Sequence, residues 1–193
     1  MSSEPNKSAL RAAIRDRLRK KTPGDDATLR EKLDELLQRL APTCCVAYLA
    51  FQNEPKLDEL LYNLLIANKL LAIPRFCSAT RSYELAKVSD LTSQLVIGHY
   101  GIREPLPELT ALKRLPPSTV WLVPGLAFSA AGARLGRGAG YYDRLFAQFP
   151  QGKRIGVAWD CQLLTEIPQE PWDRPMDYVV TETQVIACHS SSI

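Results

Sequence analysis

Along this chain, stretches whose apolar residues recur at helical spacing alternate with continuous apolar runs of strand length. In residues 7–21, KSALRAAIRDRLRKK, Leu10, Ile14 and Leu18 form one stripe, and Lys7, Arg11 and Arg15 follow its edge at intervals of four. Thr22, Pro23, Gly24 and Asp25 interrupt the pattern, and ATLREKLDELLQRL then predicts a second helix with Leu29, Leu33, Leu36, Leu37 and Leu40 on its apolar side. CCVAYLAF at 44–51 has the pattern of a strand covered by helices on both faces. A third helix is predicted over LDELLYNLLIANK, a second strand over LLAIPR at 70–75, and an edge strand within 77–88. GHYGIREP at 98–105 is too rich in glycine and proline for an element interior. Further on, Val120-Trp121-Leu122-Val123 predicts a strand, YYDRLFAQF a helix, KRIGVAW at 153–159 a strand, the residues from Asp160 to about Pro168 a short helix, and YVVT at 178–181 a last strand. The alternation predicts an α/β fold: a single three-layer domain over residues 1–193, with a mostly parallel sheet flanked by helices and frayed ends at 1–6 and 188–193.

Composition changes little in this picture. The chain is 46% hydrophobic and 23% charged, with a net charge of +3, which is too mild to imply nucleic acid but suits an anionic small substrate if the basic groups converge. The polar, basic beginning has no apolar signal core, and no apolar run is long enough to cross a bilayer, so the expectation is a soluble cytoplasmic protein, monomeric and without a membrane partner. The five cysteines form no C-x-x-C pair and no metal-like grouping with His99 and His189, and read as reduced thiols.

Candidate chemistry gathers in residues 125–144, GLAFSAAGARLGRGAGYYDR. Gly136, Gly138 and Gly140, flanked by Arg134, Arg137 and Arg144, immediately precede a predicted helix start. Backbone N–H groups can approach a phosphate closely there, and the helix dipole favours an anion. Asp143 lies in the first helical turn and would repel that phosphate unless a hard cation such as Mg²⁺ bridged the two. The stretch is neither a dinucleotide fingerprint, whose third glycine would fall at Tyr141, nor a P-loop, which needs Lys and Ser or Thr after its glycine. A glycine-rich surface turn with solvated arginines fits the same pattern. The alternatives at other positions are equally plain: a solvated basic edge at Lys7 and Arg11, a charge at a helix start for Glu54, and a packed tyrosine at Tyr100.

The stretch PGLAFSAAGARLGRGAGYYDR resembles the signature of the 5-formyltetrahydrofolate cyclo-ligase (5,10-methenyltetrahydrofolate synthetase) family, and similarity extends from Lys7 to Thr181. The resemblance implies an enzyme that uses ATP and Mg²⁺ to close 5-formyltetrahydrofolate into 5,10-methenyltetrahydrofolate, releasing ADP and phosphate. It implies nucleotide contacts from Lys7, Arg11, Arg134, Leu135, Gly136, Arg137, Gly138, Ala139, Gly140, Tyr141 and Tyr142, with Lys7 and Arg134 acting on the transferred phosphoryl group. Folate contacts are implied for Leu49, Glu54, Tyr100, Gly138 and Tyr141. Asp143 and Asp173 would hold Mg²⁺; spacing alone leaves Asp177 as a competitor that the resemblance disfavours. Trp172 departs from the family's usual His before this Asp, which bears on any adenine contact. A non-catalytic nucleotide- or RNA-binding module with the same glycine loop and basic helix is the alternative reading.

Overall fold

Period-two alternation in the buried strands explains the layers around them. The computed structural model describes residues 7–20, 26–98 and 101–188. Strand β1, Cys44–Val46, pairs in parallel with β2, Leu70–Cys77, on one side and with β6, Thr119–Pro124, on the other. Strands β9, Lys153–Val157, and β11, Tyr178–Val180, continue the parallel set beyond β6. The edges are antiparallel: β3, Ser82–Val88, beside β2, and β12, Val185–Ala187, beside β11. The order is β12-β11-β9-β6-β1-β2-β3.

Cys45, Leu71, Val120, Leu122 and Ile155 point to one face, where Leu29, Leu33 and Leu36 of α2, Asp26–Leu40, and Leu60 and Leu61 of α3, Asp58–Ile66, cover them. Cys44, Val46, Trp121 and Val123 point to the other, against Leu145 and Phe146 of α4, Tyr141–Gln148, and the following Phe149. Each such apolar side chain removed from water contributes about 1.5–3 kcal/mol, which is why the buried parts of these strands, CCV of β1 and VWLV of β6 above all, read as apolar runs. Cys44, Cys45 and Cys188 are buried, and all five cysteines are free thiols.

A smaller sheet joins β7, Ala127–Ser129, with β8, Arg134–Leu135, in a hairpin, and adds β10, Leu163–Leu164, in parallel. Helix α1, Lys7–Lys20, buries Ile14 among Leu126, Ala127, Ala133, Leu135 and Ile167 on this sheet. The stripe predicted from Leu10, Ile14 and Leu18 therefore docks the helix onto the hairpin that carries the glycine loop. Strands β4, Leu95–Ile97, and β5, Arg103–Pro105, form a separate two-stranded ribbon.

Several elements differ from the sequence expectation. The strand expected over 44–51 ends at Val46: Ala47 N–H still donates to Ala72 O, after which the chain leaves the sheet while staying buried to Leu49. Glycine and proline in 98–105 do not prevent β5. Gly98 N–H donates to Ile102 O, Gly101 takes φ 73°, and a two-strand ribbon leaves an edge where proline is tolerated. The helix expected from Asp160 is a single 3₁₀ turn, Asp160–Gln162, followed by β10. Cys188, expected in the frayed end, is buried, and its N–H donates to Asp177 O.

Strand order supplies the location for a ligand. From β1 the chain builds outward through β2 and β3, then returns to β6 on the opposite side and builds outward again through β9 and β11. Neighbouring parallel strands whose connections leave in opposite directions open a crevice beyond their carboxyl ends.

Candidate active site

That crevice is a cavity of about 670 Å³. Tyr48, Leu49, Phe51 and Glu54 enter it from the segment after β1, Pro124 and Gly125 from the end of β6, and residues 133–143 from the glycine loop and the first turn of α4. Lys7 and Arg11 reach it from α1, and Trp172, Asp173 and Arg174 from the loop before β11. Among the described residues, the expected site positions Lys7, Arg11, Leu49, Glu54, the run Arg134 to Tyr142, Asp143 and Asp173 therefore all converge on one wall system. Tyr100 lies outside the described residues. Arg15, the third member of the basic edge, is exposed and absent from the lining. Asp177 is absent from it too: its carboxylate accepts from Lys153 Nζ at 2.9 Å and from Arg154 N–H at 2.8 Å.

The glycines have distinct jobs. Gly138 (φ 107°) and Gly140 (φ 64°) occupy left-handed backbone that a side chain would strain, and Gly140 is the residue at which α4 begins, with no side chain capping the helix. At Gly136 an added Cβ would lie 3.1 Å from Arg134 Nη1, so a side chain there would press on that guanidinium.

Cations and carboxylates are matched across the cavity. Lys7 Nζ lies 2.9 Å from Asp173 Oδ2, and Arg134 Nη2 lies 3.2 Å from Asp143 Oδ1. Arg137 Nη2 lies 2.8 Å from Glu54 Oε1, and its guanidinium also covers the Phe51 ring at 5.1 Å. Arg11 Nε donates to Gly136 O at 3.0 Å, tying α1 directly to the loop. The Arg137–Glu54 pair joins a residue expected on the nucleotide to one expected on the folate, although 83 positions separate them in the chain.

Glu54 is deeply placed, and burial pushes its carboxyl above the ordinary value of 4.5, while Arg137 and the Phe51 N–H pull it down. Burial likewise raises the Tyr142 and Tyr48 hydroxyls well above their usual range. Because the folded-state value of Glu54 is the higher one, its contribution to stability is fully present below about pH 4.5 and is lost as pH rises through the raised value. Thermal midpoints of the wild type and Glu54→Gln, followed from about pH 4 to about pH 8, should therefore diverge in favour of the variant as pH climbs. A difference that stays flat would contradict this environment for Glu54.

The donor set suits a hard divalent cation in a particular way. Asp143 and Asp173 offer carboxylate oxygens on the cavity wall, and among the described residues no three His, Cys, Asp or Glu side chains gather into a group able to hold a metal alone. Mg²⁺ is bound in this fashion, through one or two carboxylates with phosphate oxygens and water completing the shell. The residues present therefore fit it.

Other supporting residues escape a sequence reading. Gln162 is buried; its amide donates to Gly125 O at 2.8 Å and Leu126 O at 3.1 Å, and its Oε1 accepts from Trp159 N–H at 2.7 Å. It fixes the start of the glycine loop. Trp159 Nε1 donates to Asn53 O at 2.8 Å, and Asn53 Nδ2 donates to Leu18 O at 3.0 Å, so the segment bearing Glu54 is braced on both sides. Tyr83 packs on Tyr141 with ring centroids 4.3 Å apart.

A model of the 5-formyltetrahydrofolate cyclo-ligase family matches residues 3–182. A 5-formyltetrahydrofolate cyclo-ligase of Mycolicibacterium smegmatis is 36% identical over 187 residues, covering 93% of this chain and 95% of its own length. One of Escherichia coli K12 is 29% identical over 178 residues, covering 89% of this chain and 98% of its own. The solved structure of Aquifex aeolicus 5,10-methenyltetrahydrofolate synthetase superposes with a TM-score of 0.81 at 28% identity, over 97% of this chain and 95% of that one.

Proposed function

The chain belongs to the 5-formyltetrahydrofolate cyclo-ligase family, and we propose that it closes 5-formyltetrahydrofolate to 5,10-methenyltetrahydrofolate at the expense of ATP, with Mg²⁺. The observation that carries this reading is the convergence of Lys7, Arg11, Arg134 and the glycine-loop backbone with Asp143 and Asp173 on the cavity that also contains Glu54.

A formamide oxygen leaves poorly. Transfer of the γ-phosphoryl group of ATP to that oxygen forms an O–P bond and releases ADP; attack by N10 on the activated carbon then forms the new C–N bond. The C–O bond breaks, phosphate departs with the former formyl oxygen, and the N10 proton passes to solvent. Phosphoryl transfer depends on positioning and on charge neutralisation, which the cationic side of the cavity supplies. Arg134, held by Pro124 O at 3.3 Å and laid over the Tyr142 ring at 5.2 Å, presents a fixed fork to the phosphates. Lys7 and Arg11 bring charge from α1, and the N–H groups at the start of α4 add donors. Asp143 and Asp173 would hold Mg²⁺, which supplies charge neutralisation on phosphate oxygens when bound. No covalent nucleophile is needed.

Starting the reaction with ¹⁸O in the formyl group tests this directly: the label should appear in inorganic phosphate, and label left in water or in the folate product would overturn the phosphorylation route.

The first helix gives a second test. Lys7→Ala and Arg11→Ala should each raise the KM for ATP by about tenfold, the size of a charge-assisted hydrogen bond. Each substitution removes one part-buried contact, Lys7 Nζ to Asp173 or Arg11 Nε to Gly136 O, so stability should fall by no more than about 1.5–3 kcal/mol. A lower thermal midpoint with unchanged KM would make these residues struts for α1.

A further inference from the structure

Glu104 is buried to 6% exposure on β5, lines the cavity, and has one oxygen with no partner among the described residues. Its Oε2 accepts from Phe76 N–H at 3.1 Å, whereas Oε1 is shielded from solvent and receives no hydrogen bond from any described residue. Gly98 lies close against this carboxyl: a Cβ added there would lie 2.6 Å from Oε2, so a side chain at that position would displace it. An unpaired buried acceptor is destabilising, so its persistence in a ligand-sized cavity calls for a donor that arrives with the ligand. The terminal torsion of a glutamate side chain is soft, and a small turn about it brings an oxygen towards the cavity.

Glu54, the other glutamate of the cavity, is in a different condition. Its Oε1 accepts from Arg137 Nε and Nη2 and its Oε2 from Phe51 N–H, so each oxygen has a protein partner, and Oε2 keeps a second lone pair for a folate donor. Glu104 instead lies where β5 meets β2, and the lining at these elements and β3, Ile73, Pro74, Tyr83 and Ile102, makes a mostly apolar end of the cavity with Arg103 beside it. A reduced folate is a long molecule with an aminopyrimidine edge at one end, the reacting N5 and N10 in the middle, and a charged glutamate tail at the other. If the reacting centre meets the phosphates near Arg134 and the tail remains in water, the pyrimidine edge enters the apolar end first. That edge carries an amino group and a ring N–H side by side, two donors spaced to suit one carboxylate.

Resting on the proposed function above, we infer that Glu104 is a substrate-positioning residue whose carboxyl accepts hydrogen bonds from the aminopyrimidine edge of the folate. Glu104→Gln keeps an acceptor for Phe76 N–H but replaces the other oxygen by a donor. The test is calorimetric titration of wild type and Glu104→Gln with 5-formyltetrahydrofolate and with its 2-desamino-2-methyl analogue, which lacks the amino donor.

The wild type should bind the analogue about ten- to a hundredfold more weakly than the parent, and Glu104→Gln should bind the parent about as weakly while hardly distinguishing the two ligands. ATP affinity should be unchanged. A variant that weakens both ligands equally and keeps the wild-type discrimination would make Glu104 structural and overturn the inference. So would equal affinity of the wild type for both ligands, a result that needs no variant to fold. Folded wild type that binds no 5-formyltetrahydrofolate is a separate outcome, which removes the proposed function and this inference with it.

Discussion

Asp143→Asn should lower turnover by about a hundredfold or more while leaving folate affinity within about twofold. A metal ion at a transferring phosphoryl group contributes several kcal/mol of charge stabilisation, and each 1.36 kcal/mol is tenfold in rate. Asparagine retains an oxygen that can accept from Arg134, so the ion pair at 3.2 Å becomes an ordinary hydrogen bond and the glycine loop has no reason to collapse. What disappears is the negative charge that a hard cation requires. Steady-state rates across a Mg²⁺ titration, with folate binding measured alongside, give the answer. Normal activity at limiting Mg²⁺ would remove Asp143 from the metal assignment.

Glu54→Gln is the second large effect, and here the three-dimensional arrangement alters what sequence distance implies. Glu54 follows β1, far along the chain from the glycine loop, so its loss would be expected to touch folate alone. In the folded protein it anchors Arg137 through two hydrogen bonds, at 2.8 and 3.2 Å. Losing the charge should weaken folate binding by about ten- to a hundredfold, as for other charge-assisted hydrogen bonds. The released Arg137 should also shift ATP affinity, by a smaller factor, because its side chain belongs to the loop proposed to hold the phosphates. Titration of the variant with each ligand separates the cases. Unchanged folate affinity would leave Glu54 as a charge at a helix start, and wholly unchanged ATP affinity would mean that the Arg137 contact does not couple the two ligands.

The residues that could be read from sequence are those whose signal is local. Leu10, Ile14 and Leu18, the leucines of α2, and the run Val120 to Val123 each carry a periodicity that burial alone explains. The glycine loop was recognisable because Gly138 and Gly140 must take left-handed backbone, a need that only glycine meets without strain. Two- and three-residue strands such as β7, β8, β10 and β12 were not recognisable, since each exists through a partner elsewhere in the chain: Leu163 opposite Phe128, or Val185 opposite Val180. The same limit hid Gln162 and Glu104. A lone polar residue gives no indication in sequence that it will be buried, and what matters about each is the group placed against it by a distant element. Asp173 and Asp177 show the point most plainly: spacing could not separate them, whereas in the fold one lines the cavity beside Lys7 and the other is taken up by Lys153 and the Arg154 backbone.

The central claim is that one cavity binds folate and nucleotide together and joins their chemistry. Protein mixed with 5-formyltetrahydrofolate, ATP and Mg²⁺ should develop the near-ultraviolet absorbance of 5,10-methenyltetrahydrofolate, with one ADP formed for each methenyl product and no signal when any single component is omitted. Absence of the absorbance with folded protein, or ADP release that proceeds at the same rate without folate, would contradict it.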